Sequence, residues 1–549
     1  MNNPDLKLDF NERSDSNNPL LENYPMGDSF WKYPDRKPLE REIAKINQLQ
    51  EEQVFCSNGG DESIMLLMRL VNQKQKVILP LPTFSQYIQG VVQWNIDTVY
   101  IQPKQDLSLD LDKLRQEIEI ENNAVVIITS PNNPTGEYLS LEMIENLLGS
   151  ANKKNSWIFL DEAYIEFCEV KAKSQRLLEQ YENLVILRTF SKAYGLAGIR
   201  VGYLLGSKKQ IESFKKISLP FNISQPSLNI AMEALQKQNR VLVNLYCQKI
   251  IKNRTRMMDW LSEKNIPYNL SQGNFLLINL PPRKSQAVFS FLKRNNILVR
   301  TFTDNLLKNA IRVTIPYDLN TLLPLMKQSI KPELVCMDMD DVLIDVSKSY
   351  QQAIKSTVLE LSGIEIENQL IEQFKNQRGF NNDWVLTQKI LQTLGESFEL
   401  DKVIAVFQNY YLGENKNHHP NGFIVNETAI ISAKFINKIN NLTDCNFAVV
   451  TGRPRYEADL GLKLLDLENL PSISLDDVQE SKPSPQGINL LQGEFSKSSW
   501  MCGDNPDDIL AAVNSNSLAI GIDPSNKKNL YQYGADIVVD SINEIESWL

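Results

Sequence analysis

Histidine is nearly missing from this chain of 549 residues: His418 and His419 are the only two, side by side in a polar Asn-Lys-Asn-His-His-Pro stretch that reads as a loop. Ser-His-Asp hydrolysis, histidine-rich zinc sites and two-histidine iron centres all need imidazoles that the chain lacks. Acid–base work therefore falls to Lys, Asp, Glu or Tyr. Cysteine is also sparse. Cys56, Cys168, Cys247, Cys336, Cys445 and Cys502 lie far apart with no CxxC pair, which argues against a zinc site and a disulfide framework and predicts reduced core residues. No run of about 18 apolar residues is present to span a bilayer. Met1 to Asn11 is polar and acidic where a signal peptide would be basic and then apolar, so a cytoplasmic protein with no membrane partner is expected. The formal charge is −10 and the basic residues form no stripe, which disfavours nucleic acid as a partner.

What is there belongs to an ordinary globular protein, with 42% apolar and 23% charged residues. The length exceeds what one hydrophobic core supports, so several domains are expected. Short apolar runs at Lys76–Leu79, Ala124–Thr129, Trp157–Leu160, Leu184–Arg188 and Val201–Leu205 read as buried parallel strands, with amphipathic helical patterns between them. That alternation predicts an α/β fold whose ligands bind at the carboxyl ends of the strands. Near Ile330-Lys331-Pro332 the pattern restarts with the strand Leu334–Met337, which places a domain boundary between 330 and 331. Further strands are predicted at Phe447–Val450, Ser499–Cys502, Leu518–Ile522 and Ile537–Val539. A helix-rich insertion over about 346–443 is too large for a loop.

In the first half, Thr189-Phe190-Ser191-Lys192 follows the strand Leu184–Arg188, with Arg200 eight residues past the lysine. A lysine at a strand end is a candidate Schiff-base former, with hydroxyls and an arginine placed to hold a phosphate. Asp161 ends another strand, with Tyr164 three residues on; a pyridine electron sink needs such a carboxylate to keep its nitrogen protonated. Asn58-Gly59-Gly60-Asp61-Glu62 opens a helix whose free N–H groups suit an anion, and Ser130-Pro131-Asn132-Asn133-Pro134-Thr135-Gly136 presents amides after a strand.

These residues, in this order, resemble the fold-type I pyridoxal-phosphate aminotransferases over nearly all of 5–330, and within them most closely the histidinol-phosphate aminotransferases. The resemblance implies that Lys192 binds the cofactor covalently and shuttles the proton. It implies that Asp161 pairs with the pyridine nitrogen, that Asn133 and Tyr164 bond the ring hydroxyl, and that Phe84 of Leu81-Pro82-Thr83-Phe84 stacks on the ring. It assigns Gly60, Asp61, Thr189, Ser191 and Arg200 to the cofactor phosphate, Arg312 to the substrate's acidic group, and Tyr33 to the partner subunit's site, which implies a homodimer through the N-terminal domain. Two departures touch substrate choice: Gly60 stands where a serine is common, and Arg13-Ser14-Asp15 follows Asn11-Glu12 where Asn-Pro is usual.

In the second half, Asp338 and Asp340 emerge together after the strand Leu334–Met337, so one can attack phosphorus while the other protonates the leaving oxygen. Other strand ends offer Thr451, Lys482 and the pair Asp504 and Asp508. Clustered carboxylates repel one another without a cation. Mg²⁺ held by Asp338, Asp504 and the Asp340 carbonyl, with Asp508 in support, relieves that repulsion and clamps a phosphate whose oxygens Thr451 and Lys482 neutralise. The order Asp-x-Asp, Thr-Gly, Lys-Pro, Gly-Asp-x-x-x-Asp resembles the haloacid dehalogenase superfamily over about 333–549. The resemblance implies a Rossmann-like domain with the insertion as a helical cap over small-molecule phosphates, and Asp340 favours phosphoryl transfer over dehalogenation. Asp341 replaces the glycine often found after the second aspartate.

The expected protein is thus a bifunctional enzyme. Its N-terminal half would transaminate a phosphorylated amino compound with glutamate and 2-oxoglutarate as the amino-group couple, and its C-terminal half would hydrolyse a phosphate ester. Formation of histidinol phosphate and its dephosphorylation, successive steps of histidine synthesis, would give the fusion a metabolic logic. Two alternatives stand beside this reading. One is a decarboxylase or an aminotransferase for another phosphorylated or aromatic amino acid; the other is a C-terminal domain that is a phosphatase of unrelated substrate or a regulatory module without turnover.

Overall fold

The computed structural model describes residues 6–7, 9, 11, 33–71, 75–170, 173–375, 377, 379–380, 382–413, 420–523 and 527–549. Arg13, Ser14, Asp15, His418 and His419 lie outside the described residues. The chain divides into two compact units, one of residues 1–280 and 296–322 and the other of residues 281–295 and 323–549.

The first unit is built on a seven-stranded sheet with the spatial order Val54–Ser57, Gly202–Gly206, Leu184–Thr189, Trp157–Asp161, Val125–Thr129, Val77–Pro80, Thr98–Ile101. Helices between the strands cover both faces. The central strands are accordingly apolar at nearly every position, because neither face meets water. Phe55, Leu67, Leu79, Phe159 and Leu187 belong to the core beneath one face. Each such side chain contributes roughly 1.5–3 kcal/mol by leaving water. The run Val201–Leu205 corrects the expectation of an all-parallel sheet: its strand, Gly202–Gly206, runs antiparallel to both neighbours. Burial on two faces produces a continuous apolar run whichever way the strand points. A separate antiparallel sheet joins Phe275–Asn279, Ala310–Thr314 and Arg300–Thr301.

The second unit has a six-stranded sheet, parallel throughout, in the order Ser472–Ile473, Asn446–Val450, Leu334–Met337, Ser499–Gly503, Leu518–Ile522, Ile537–Val539. The inserted segment forms the helices Tyr350–Ser362, Asn368–Lys375, Asp383–Thr393 and Leu400–Tyr411, and the chain returns through the helix Ala433–Asn441. Helix Lys284–Arg294, which precedes the boundary expected from sequence, groups with this unit. It buries Val288, Phe291 and Leu292, and Arg294 pairs with Asp536 at 2.7 Å and Arg283 with Glu544 at 2.8 Å. All six cysteines are buried, and none of them is in a disulfide. Among the described residues no helix is long and apolar enough to cross a membrane.

Candidate active sites

In the first unit, four strand ends bring the predicted residues together. Asp161 is the last residue of its strand and is 7% exposed; Oδ1 accepts the Ala163 amide at 2.9 Å and Oδ2 accepts the Tyr87 hydroxyl at 2.7 Å. Burial pushes its carboxyl up to about 6, against the pull of the Tyr87 hydrogen bond. A buried carboxylate that needs a partner is suited to a protonated ring nitrogen. Lys192 lies just past the strand Leu184–Thr189, with Nζ 5.6 Å from the centre of the Tyr164 ring. The Tyr164 hydroxyl accepts from Asn11 at 3.0 Å and from Asn133 at 3.4 Å. Arg312, on the strand Ala310–Thr314, donates to Asn133 Oδ1 at 2.5 Å and to the Asp9 carbonyl at 2.6 Å, and burial lowers its guanidinium to about 10.

The anion cradle is built where the backbone comes closest. Helix Gly59–Val71 begins with Gly59 at φ +76°, and a Cβ there would lie 2.5 Å from Arg200 Nη2. A Cβ on Gly202 would lie 2.9 Å from the Gly59 carbonyl carbon and the Gly60 nitrogen. Only glycine fits both places. Arg200 donates to Asp61 Oδ2 at 2.7 Å, and Thr189 Oγ1 donates to Ser191 Oγ at 3.0 Å, so guanidinium, hydroxyls and helix N-terminus meet around one spot. Phe84 is partly buried beside Tyr87, with ring centres 6.3 Å apart. Tyr33 is not part of this cluster: it is 80% exposed and stacks on Phe221 at 4.5 Å.

In the second unit, Asp338 and Asp504 stand just past the parallel strands Leu334–Met337 and Ser499–Gly503, and Asp508 is in the first turn of the helix Pro506–Asn514. Asn505 caps that helix and Asp508 closes the capping box, which explains locally why the sequence Asn-Pro-Asp-Asp turns Asp508 back toward the strand. The approach is so close that a Cβ on Gly503 would lie 2.2 Å from Asp508 Cβ. Carboxylate oxygens of Asp338, Asp504 and Asp508 all fall within 4.8 Å of one another. Lys482 Nζ donates to Asp338 Oδ1 at 2.7 Å and lies 2.5 Å from Asp508 Oδ1. Burial nonetheless pushes Asp338 up to about 7, with Lys482 opposing, and pushes Asp504 well above the usual carboxylate range. Three crowded carboxylates are a donor set that a hard divalent cation relieves. Thr451 is buried at the end of the strand Asn446–Val450.

Asp340 is set apart from this trio. Its Oδ1 is held by Arg453, through Nε at 2.7 Å and Nη2 at 2.6 Å. Sequence reasoning gave Arg453 no role, although its place two residues after Thr451 is the signal that could have found it. Tyr87 was missed in the same way; it follows Phe84 by three positions, one helical turn along the same face. Lys375, on the cap helix Asn368–Lys375, was missed as well. It sits 3.5 Å from Asp383, and although burial opposes its charge, Asp383, Asp341 and Asp504 raise its ammonium above the usual range.

The aminotransferase class I and II family model matches residues 25–323, and the haloacid dehalogenase-like hydrolase model matches residues 335–522. Histidinol-phosphate aminotransferase 1 of Bacillus cereus is 34% identical over 288 residues, covering 52% of this chain and 76% of that protein. The crystal structure of histidinol-phosphate aminotransferase from Sinorhizobium meliloti in complex with pyridoxal-5'-phosphate superposes with TM-score 0.53 at 24% identity, over 60% of this chain and 91% of that one. A decarboxylase from Sulfurospirillum multivorans superposes with TM-score 0.50 at 29% identity, over 55% of this chain and 80% of that one.

Proposed function

The chain belongs to the class I and II aminotransferases and carries a haloacid dehalogenase-like hydrolase domain, and from that premise we propose a bifunctional enzyme that transaminates histidinol phosphate and hydrolyses a phosphate monoester. The observation that carries the first half is the meeting of Lys192, Asp161, Asn133 and Tyr164 beside a glycine-lined anion cradle. These residues fit pyridoxal phosphate. When bound, that cofactor supplies an electron sink for the carbon that loses its proton. Asp161, held by Tyr87, would pair with the ring nitrogen, Asn133 and Tyr164 would hold the ring hydroxyl, and Phe84 would stack on the ring. Gly60, Asp61, Thr189, Ser191 and Arg200 hold the phosphate. Lys192 would tether the cofactor and take up and return the proton at its Nζ, and Arg312 would bind the acidic group of 2-oxoglutarate or glutamate. The exposed pair Tyr33 and Phe221 supports a homodimer through this unit, with Tyr33 reaching the partner's site.

In the second unit Asp338 is the nucleophile toward phosphorus and Asp340 the acid and base. Asp338, Asp504 and Asp508, with the Asp340 carbonyl, would hold Mg²⁺, and Lys482 and Thr451 balance the phosphoryl oxygens. Histidinol phosphate is the substrate expected here too. The experiment is incubation of the full chain with histidinol phosphate, 2-oxoglutarate and Mg²⁺: glutamate should form and free phosphate should accumulate. Phosphate without glutamate would confine the activity to the second unit. The 29% identity to a decarboxylase favours a second reading of the first unit. Carbon dioxide released from an amino acid in place of glutamate formation would select it.

A further inference from the structure

Arg453 is 1% exposed and sits on the loop after the strand Asn446–Val450, its amide bonded to Thr451 Oγ1 at 3.2 Å. One edge of its guanidinium grips Asp340. The remaining N–H groups, Nη1 and Nη2, lie 3.1 Å from the two oxygens of Glu427. Both contacts to Asp340 land on Oδ1 and neither on Oδ2. An arginine clamped between two carboxylates is common as architecture; here one carboxylate is the group assigned to proton transfer, and the clamp leaves its second oxygen unengaged.

The other carboxylate belongs to the cap. Glu427 Oε1 accepts from Ser349 at 2.9 Å and from Tyr411 at 3.0 Å. Tyr411 ends the cap helix Leu400–Tyr411, and its ring stacks at 4.2 Å on Tyr350, the first residue of the cap helix Tyr350–Ser362. Tyr350 in turn lies under the Arg453 guanidinium, 5.1 Å from ring centre to Cζ. The cap helices therefore reach Asp340 through one buried chain of contacts, in which Arg453 is the link. A planar guanidinium holds the two carboxylates in a fixed fork of paired N–H groups, a geometry that the point charge of an ammonium does not reproduce.

We propose that Arg453 is a positioning residue for the phosphoryl-transfer chemistry: braced by Glu427, it fixes the carboxylate of Asp340 and ties that placement to the seating of the cap. The proposal rests on the phosphatase reading of the second unit. It requires that losing Arg453 matter only as far as Asp340 matters.

The test uses the full chain with Mg²⁺ and p-nitrophenyl phosphate as the probe. Arg453→Gln should lower kcat by about 10²-fold with KM within about threefold, because the interaction serves the reacting state and not ground-state binding. Arg453→Lys should recover about tenfold of that loss. The double variant Asp340→Asn/Arg453→Gln should be no slower than Asp340→Asn alone, since the two act as one unit. Should Arg453→Gln fail to fold, Glu427→Gln takes its place: it keeps the side chain's volume, and should cost about tenfold in kcat and speed amide exchange in Tyr350–Ser362 and Leu400–Tyr411. Losses that multiply in the double variant, or unchanged kcat in Glu427→Gln, overturn the inference while the phosphatase reading stands. A wild type that releases no phosphate from the probe overturns the reading and the inference together.

Discussion

The hydroxyl of Tyr87 donates to Oδ2 of Asp161 across 2.7 Å, with Tyr87 fully buried and Asp161 nearly so. The pair joins a helix to the strand end that positions the candidate cofactor ring. It also explains why a carboxylate can be kept there at all, because the tyrosine is a partner for the charge that burial disfavours.

A pH dependence follows for the cofactor-free protein. Asp161 is raised to about 6 from an ordinary value near 3.9, so the native state holds its proton more tightly than the unfolded chain. Stability from this group is present below about pH 4 and is lost as pH rises through about 6. Above that, burying the ionised carboxylate costs roughly 2–3 kcal/mol. Asp161→Asn should therefore raise the melting temperature at pH 8 by about 5 °C, with the gain shrinking toward pH 5. Calorimetry of the cofactor-free variants at the two pH values checks it; an equal gain at both would remove Asp161 as the cause.

Gly202 and Gly59 touch backbone to backbone. Gly202→Ala would insert a methyl 2.9 Å from the Gly59 carbonyl carbon, which cannot swing aside as a side chain would. The N-terminus of the helix Gly59–Val71 should be pushed out of place, and affinity for pyridoxal phosphate should fall about tenfold or more, a loss of 1.4 kcal/mol per factor of ten. An absorbance titration measures it. Unchanged affinity would show that this cradle does not hold the phosphate.

For the second unit, the crowded carboxylates predict a metal-linked stability. Mg²⁺ should raise the melting temperature of the wild type, because it binds the native arrangement of Asp338, Asp504 and Asp508 and not the unfolded chain. The shift should vanish in Asp504→Asn. Asp338→Asn should lower phosphate release by about 10²–10⁴-fold while leaving glutamate formation intact. Loss of both activities together would mean that the substitution damaged the fold.

Tyr33 and Phe221 form a stacked pair that is largely exposed, as expected of side chains awaiting a second copy of the chain. Sedimentation should show a dimer that Phe221→Asp weakens. A wild-type monomer with full transaminase activity would contradict the assignment of Tyr33 to a partner's site.

Much of this arrangement was legible in the sequence, because strand ends are. An apolar run followed at once by Asp161, by Thr189-Phe190-Ser191-Lys192 or by Asp338 places a polar group at a sheet's edge whatever the rest of the chain does. Strand direction was not legible. Gly202–Gly206 is antiparallel, yet its burial on both faces gives it the same composition as its parallel neighbours. Side chains that act through others were hidden too: Tyr87 reads as helix core and Arg453 as one basic residue among many, until Asp161 and Asp340 are seen beside them. The grouping of helix Lys284–Arg294 with the second unit depends on contacts such as Arg294 with Asp536, more than two hundred residues apart in sequence, which no local pattern encodes.

The most direct test of the central claim is the visible absorbance spectrum of the full chain with pyridoxal phosphate, recorded for the wild type and for Lys192→Ala, before and after glutamate is added. A bound-cofactor band that requires Lys192 and fades with glutamate is the predicted result. A band that persists unchanged in Lys192→Ala, or that glutamate leaves untouched, would contradict the assignment of the first unit as a transaminase.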